Sequence, residues 1–267
     1  MSEMVVQRLA GQWRDAGLQP GETLLLHSSL RRTTRALARA GVAVADAAEI
    51  ALDSILEALG PDGTLLLPLF NFGFTSGEPF DIRTTPSQMG ALTEAGRLRA
   101  GAVRTGHPIY SFAVLGGQAG RFAGVENLSG YGPDSPFAML RDLGGRIAVL
   151  DLADQHSMTF YHHVEEMKAA PWRYHKAFQG DYIGWDGVRT RRAFSLFVRD
   201  LERGVATDVD AMGELLWSRD LYQGDRPGEG TGLRLIDARA LFDAVAEVID
   251  EGRAEGLLYR LETPAAA

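Results

Sequence analysis

An α/β/α sandwich with a largely parallel central sheet and a C-terminal antiparallel extension is the fold class this chain predicts, and three observations carry it. Short apolar runs alternate with stretches of helical period, glycine and proline punctuate the joints, and a hairpin signal follows Pro171. Met4 to Ala16 repeats apolar residues at helical spacing, and Glu22 to His27 is an apolar run that reads as a buried strand. Asp46 to Leu59 is a strongly periodic helix closed by Gly60, Pro61, Asp62 and Gly63, and Thr64 to Leu67 reads as a second buried strand. The order repeats. Ser87 to Arg99 is helical, Ile109 to Leu115 a strand, Ser135 to Leu143 helical and Arg146 to Asp151 a strand. Functional loops in such a sheet gather at the carboxyl ends of the strands.

After Pro171 the pattern changes. Tyr182 to Trp185 and Val188 to Arg192, joined at Asp186 and Gly187, predict a hairpin with a primed turn, and Ala193 to Arg199 predicts another strand. Tyr222 to Gly232 is a glycine-rich surface loop before the short strand Leu233 to Ile236, and Asp237 to Glu251 is a last helix. No repeat, low-complexity linker or charge block divides the chain, so residues 1–267 are read as a single domain.

Composition narrows the function. A chain of 267 residues, 45% hydrophobic, can bury a full core without disulfides, and the lack of any cysteine excludes thiolate metal sites and a cysteine nucleophile. Met1 to Trp13 lacks the basic-then-apolar pattern of a secretory signal, and no apolar run reaches the roughly 20 residues that span a bilayer, so a soluble, cytoplasmic protein is expected. The formal charge of -8 argues against nucleic acid as a partner. Locally, Arg31, Arg32, Arg35 and Arg39 form a basic cluster after the first strand. It is either an anion-docking surface or a solvated helix face.

The densest chemistry lies between Thr159 and Glu166, where His162, His163, Glu165 and Glu166 fall on one predicted helix. At helical spacing His162 meets Glu165 or Glu166, and His163 meets Glu166. A histidine oriented by a carboxylate can take a proton from an amine, hydroxyl or water near neutral pH. The motif alone does not say which histidine faces the chemistry.

Six blocks in order resemble the aminoglycoside 3-N-acetyltransferase family. They are Leu26-His27-Ser28-Ser29-Leu30-Arg31; Gly60-Pro61-Asp62-Gly63-Thr64; Phe80-Asp81 with Thr85 to Glu94; His107-Pro108 with Ser111-Phe112-Ala113; Tyr131-Gly132 with Ser135-Pro136, Leu140 and Gly144; and Thr159, His162 and Glu165. The resemblance implies a single acyltransferase domain that moves an acyl group from acetyl-CoA, or another acyl-CoA, to a small-molecule amine acceptor, an amino sugar or aminoglycoside. His162 would be the general base and Glu165 its orienting partner. Ser28, Ser29, Arg31, His107, Ser111, Tyr131 and Ser135 would hold the coenzyme, with Ser111, Thr159 or an amide near Ser28 supplying oxyanion donors. Asp151, Thr159, Glu166 and Arg173 would meet the acceptor. No covalent enzyme intermediate is required, because the thioester is already activated, and no metal is expected.

Beyond Pro171 the chain looks more like relatives that acylate amino sugars on nucleotide carriers. Trp172, Arg173, Tyr174 and Lys176 could line a nucleotide pocket, whereas Asp151, Asp154, Glu165, Glu166 and Asp181 could line one for a polyamine. Two further readings remain at this point: a metal-dependent hydrolase built on His162, His163, Glu165 and Glu166, and a non-catalytic coenzyme-binding protein. The hairpin and the glycine-rich loop could support a homodimer.

Overall fold

The computed structural model describes residues 2–262. In chain order the elements are α1 (Ser2–Asp15), β1 (Thr23–Ser28), α2 (Arg31–Arg39), α3 (Ala47–Leu59), β2 (Thr64–Pro68), β3 (Phe80–Asp81), α4 (Ala91–Leu98), β4 (Val103–Arg104), β5 (Phe112–Gly116), α5 (Pro136–Asp142) and β6 (Arg146–Leu150). They continue with α6 (Phe160–Met167), β7 (Arg173–Ile183), β8 (Arg189–Arg199), β9 (Val205–Thr207), α7 (Asp210–Ser218), β10 (Gln223–Gly224), β11 (Leu233–Asp237), α8 (Ala238–Asp250) and β12 (Tyr259–Leu261).

The main sheet runs β10-β11-β6-β1-β2-β5-β4. Its centre is parallel, with β1 flanked by β6 and β2, and antiparallel strands complete both sides. Alternation along the central strands feeds two cores. Leu24, Leu26, Leu65, Leu67 and Leu150 pack with α1, α3 and α4, while Leu25, Leu66, Ile147 and Val149 face the layer that contains α5, α6 and α8. Both faces are covered, so these strands read as continuous apolar runs. Each buried leucine contributes roughly 1.5–3 kcal/mol relative to exposure.

The expected sandwich is therefore present, with refinements that have local causes. The helix expected from Ser87 begins at Ala91, because Gly90 sits at φ 116° and the Met89 amide bonds to the Ser87 hydroxyl instead of extending a helix. The strand expected from Ile109 begins at Phe112, because the amides of Ile109 and Tyr110 both donate to His107 Nδ1. Since β5 runs antiparallel to β2, with Phe112 opposite Pro68, this turn lies at the carboxyl edge of the parallel strands.

The hairpin β7–β8 is longer than expected. Its ladder is continuous from Arg173↔Arg199 to Ile183↔Arg189, so Ala193 to Arg199 belongs to β8 and is not a separate strand. The two-residue primed turn is replaced by a three-residue loop, Trp185 to Gly187. Gly187 has φ 77° but Asp186 does not share a positive φ, which a primed turn would need. Beyond the hairpin, the chain returns to the main sheet through β11, antiparallel to β6, and Asp237 caps α8 by accepting from the amides of Arg239 and Ala240. Among the described residues no helix is long and apolar enough to cross a membrane.

Candidate active site

Strand β6 ends at Leu150, and the chain turns through Asp151, at φ 53°, into the loop that leads to α6. The first turns of α6 therefore stand over the carboxyl edge of the central strands. His162 and Glu165, three residues apart, share one face, and His162 Nδ1 lies 2.8 Å from Glu165 Oε2.

Glu165 is buried and surrounded by donors. Trp172 Nε1 donates to its Oε1 at 2.8 Å, and Arg173 Nε lies 2.7 Å from its Oε2. Burial alone would raise this carboxyl, but the Arg173 guanidinium, followed by the His162 and Trp172 hydrogen bonds, outweighs it and holds the pKa at about 2. Glu165 is thus ionised near neutral pH and can only accept, so His162 carries its proton on Nδ1 and keeps the Nε2 lone pair. Burial, then the charge of Arg173, lowers the imidazole pKa, with Glu165 opposing them. The ring stays neutral and basic.

His162 forms one wall of a cleft of about 320 Å³ that also includes Tyr110, Tyr131, Tyr174, Lys176 and Phe178. The Tyr131 ring stands edge-on to the imidazole at 5.2 Å between centroids and packs on Tyr110 at 4.8 Å. Burial pushes the Tyr131 hydroxyl well above its ordinary pKa, so it remains a proton donor. A larger concavity, about 1030 Å³, lies at the other edge of the sheet around Gly60 and Gly116, and no histidine lines it.

His163 turns the opposite way. Its Nδ1 lies 2.7 Å from the Tyr131 carbonyl, its ring packs between Phe160 and Phe242, and burial lowers its pKa to about 4. Of the two histidines, therefore, His162 borders the cleft and His163 does not. Glu166 does not meet His163: it accepts from the Ser129 hydroxyl at 2.7 Å and lies 3.9 Å from His175 Nε2. Among the described residues no three metal-binding side chains come together.

The other predicted residues divide. Ser28 and Ser29 stand at the carboxyl end of β1, partly exposed, and Arg31 opens α2 in solvent. Thr159 is the partly exposed residue before α6. Asp151 is already occupied: it pairs with Arg32 Nε at 3.0 Å and accepts from the Gly228 amide at 3.0 Å, which ties down the glycine-rich loop. Ser111 and Ser135 do not reach the cleft. Both are fully buried; the Ser111 hydroxyl is held by Arg104, and the Ser135 hydroxyl accepts from the Ala138 amide as the cap of α5. His107 is buried with its Nδ1 occupied by two amides, and burial lowers its pKa to about 3.

Arg173 faces the cleft, but its guanidinium is committed to Glu165. Trp172 joins it there, and it is not available to line a nucleotide pocket. Tyr110, Phe178 and Arg199 line the cleft and were missed as site residues. Apart from the strand signal around 109–115, nothing local in the sequence places them near His162.

Residues 25–250 match the family model described as aminoglycoside 3-N-acetyltransferase. Aminoglycoside N(3)-acetyltransferase VII of Streptomyces paromomycinus is 29% identical over 210 residues, which covers 70% of this chain and 68% of that protein. Aminoglycoside N(3)-acetyltransferase IV of Salmonella sp is 30% identical over 167 residues, covering 61% of this chain and 59% of that protein. The crystal structure of aminoglycoside acetyltransferase AAC(3)-Xa superposes with a TM-score of 0.76 at 26% identity over 92% of both chains. AAC-IIIb, solved with CoASH, shares the fold at 21% identity, with a TM-score of 0.74 over 98% of both chains. A match to most of the chain, a shared fold and a histidine–glutamate pair at the expected spacing agree: this chain belongs to the aminoglycoside 3-N-acetyltransferase family.

Proposed function

We propose that His162 Nε2 is the general base in a direct acyl transfer from a coenzyme A thioester to the amine of an amino sugar, with Glu165 as its orienting partner. Family membership makes the protein an acyl-CoA-dependent N-acyltransferase. The observation that carries the assignment of the base is the 2.8 Å contact between His162 Nδ1 and Glu165, which leaves Nε2 facing the cleft.

An amine attacks a carbonyl only as its free base, and it must lose a second proton once the new C–N bond forms. Neutral His162 accepts that proton, Glu165 stabilises the resulting imidazolium, and the proton then passes to the departing thiolate. The coenzyme supplies an activated acyl group, so no enzyme nucleophile is needed. The residues present fit an anionic coenzyme. Arg31, Arg35 and Arg39 have no carboxylate partner among the described residues, and α2 starts without a side-chain cap, leaving its first amides available to a phosphate. Tyr131, protonated beside His162, is a candidate donor to the acyl oxygen.

The test is release of free coenzyme A thiol with amino-sugar acceptors, wild type beside His162→Ala. Turnover lost in the variant, with binding of acetyl-CoA retained, supports the reading. Full rate in the variant removes His162 from the mechanism.

A further inference from the structure

The two oxygens of Glu165 have different partners. Oε2 meets His162 Nδ1 at 2.8 Å, and Oε1 accepts from Trp172 Nε1 at 2.8 Å. Arg173 Nε lies 2.7 Å from Oε2, yet its N–H makes no hydrogen bond among the described residues, so the guanidinium acts there as charge and not as an orienting donor. Its Nη1 donates elsewhere, to the Phe197 carbonyl at 3.1 Å. Two hydrogen bonds among the described residues therefore set the rotation of the carboxylate, and one of them is to the base itself.

An idle donor thus stands beside the pair. A guanidinium binds a carboxylate best through two parallel N–H bonds, and a carboxylate turned to face Arg173 in that way would give up its contact with His162. Trp172 opposes the turn. An indole nitrogen can only donate, so it holds Oε1 without competing for the proton on His162. The indole is itself fixed: it is 5% exposed and stacks on Tyr259 at 4.6 Å between centroids, with the ring planes 23° apart. Tyr259 lies on β12, opposite Thr207 of β9, and Thr207 lines the cleft. Trp172 is not among the residues that line it, so any influence on the chemistry passes through Glu165.

We propose that Trp172 is a positioning residue for the acyl transfer, pinning Glu165 Oε1 so that Oε2 stays on His162 instead of turning to Arg173, a role that rests on the reading of His162 as the base. Tyr259 is the surface that keeps the indole in place.

The test is a double-mutant cycle on kcat for thiol release from acetyl-CoA with gentamicin as acceptor, in Trp172→Phe, Glu165→Gln and the double variant, with His162→Ala alongside. Trp172→Phe keeps an aromatic ring against Tyr259 and removes the N–H. Its kcat should fall roughly tenfold or more, as loss of a hydrogen bond to a charged group implies, with KM for both substrates near wild type. In the Glu165→Gln background the same substitution should have little further effect, because the uncharged amide no longer draws Arg173. Losses that multiply in the double variant would make Trp172 a packing residue and overturn the proposal. Trp172→His, which returns a ring N–H at the same edge, should recover part of the rate; a loss equal to that of Trp172→Phe would assign the effect to volume and overturn it too. Full rate in His162→Ala removes the base reading, and this role with it, whatever the cycle shows. If gentamicin is not acylated, the Nδ1–H proton resonance of His162, identified by its absence in His162→Ala, reads the contact without turnover. A move to higher field in Trp172→Phe supports the proposal, and an unmoved resonance overturns it.

Discussion

Two buried carboxylates follow β6, each held against an arginine, and they differ in what else they touch. Glu165 contacts Arg173, Trp172 and His162, and His162 brings a second nitrogen to an open cleft. Asp154 contacts Arg234 at 2.7 Å through Oδ1 and accepts at 2.7 Å from the hydroxyls of both Tyr161 and Tyr222 through Oδ2. Burial drives both phenols far above the ordinary tyrosine range, so neither phenol gives up its proton near neutral pH. Desolvation is common to both sites. Of the two, only Glu165 has a titratable partner with a free lone pair, and that distinguishes the proposed catalytic pair from an architectural cluster.

Substitutions should separate the two. His162→Ala should lower kcat by about 10²–10⁴-fold, the range for loss of a general base, and leave thermal stability close to wild type. Comparable losses of both would put His162 in the architectural class. Asp154→Ala should do the reverse. It leaves the Arg234 guanidinium, 1% exposed, without its counter-ion, and urea unfolding should show a loss of about 3–5 kcal/mol. A stable Asp154→Ala protein would refute the architectural role.

Glu165→Gln keeps the shape and removes the charge that raises the His162 pKa, while Arg173 continues to lower it. The acid limb of the kcat/KM profile should therefore move to lower pH, with a smaller fall in rate than in His162→Ala. An unmoved limb means that His162 is not the group that titrates.

Stability should fall in two steps on acidification. His27 and His163 have pKa values lowered to about 4 by burial, from 6.5, so the unfolded chain takes up protons first and stability drops as pH falls from about 6.5 toward 4. Glu165, lowered from 4.5 to about 2, stabilises the fold above pH 4.5 and loses that contribution as pH falls toward 2. Denaturant midpoints measured across this range should show the second step weakened in Glu165→Gln. The smallest effect is expected for Ser135→Ala, about 1 kcal/mol from the lost cap of α5, with the KM for acetyl-CoA unchanged. A raised KM would restore Ser135 to the coenzyme site.

Much of this molecule was legible in the chain. The apolar runs of β1, β2 and β6, the helix α3 with its Gly60 end, and the spacing that joins His162 to Glu165 all depend on contacts within a few residues. They survive any placement of distant segments. Local turn chemistry was read less well, because the amides of Ile109 and Tyr110 had a histidine acceptor available that periodicity does not register. The elements α7, β9, β10 and β12 are short and gain their order from packing against other parts of the chain.

The sequence by itself determined the sandwich, the family and a carboxylate within reach of His162, because periodicity, motif order and helical spacing are local properties. Only the tertiary structure decided that His163 packs into the core, that Arg173 and Trp172 converge on Glu165, that Ser111 and Ser135 are buried, and that Lys176 and Arg199 face the cleft. Those outcomes depend on how a hairpin rooted at residue 173 packs over the edge of a sheet assembled from strands more than a hundred residues apart in sequence. No local pattern encodes that approach.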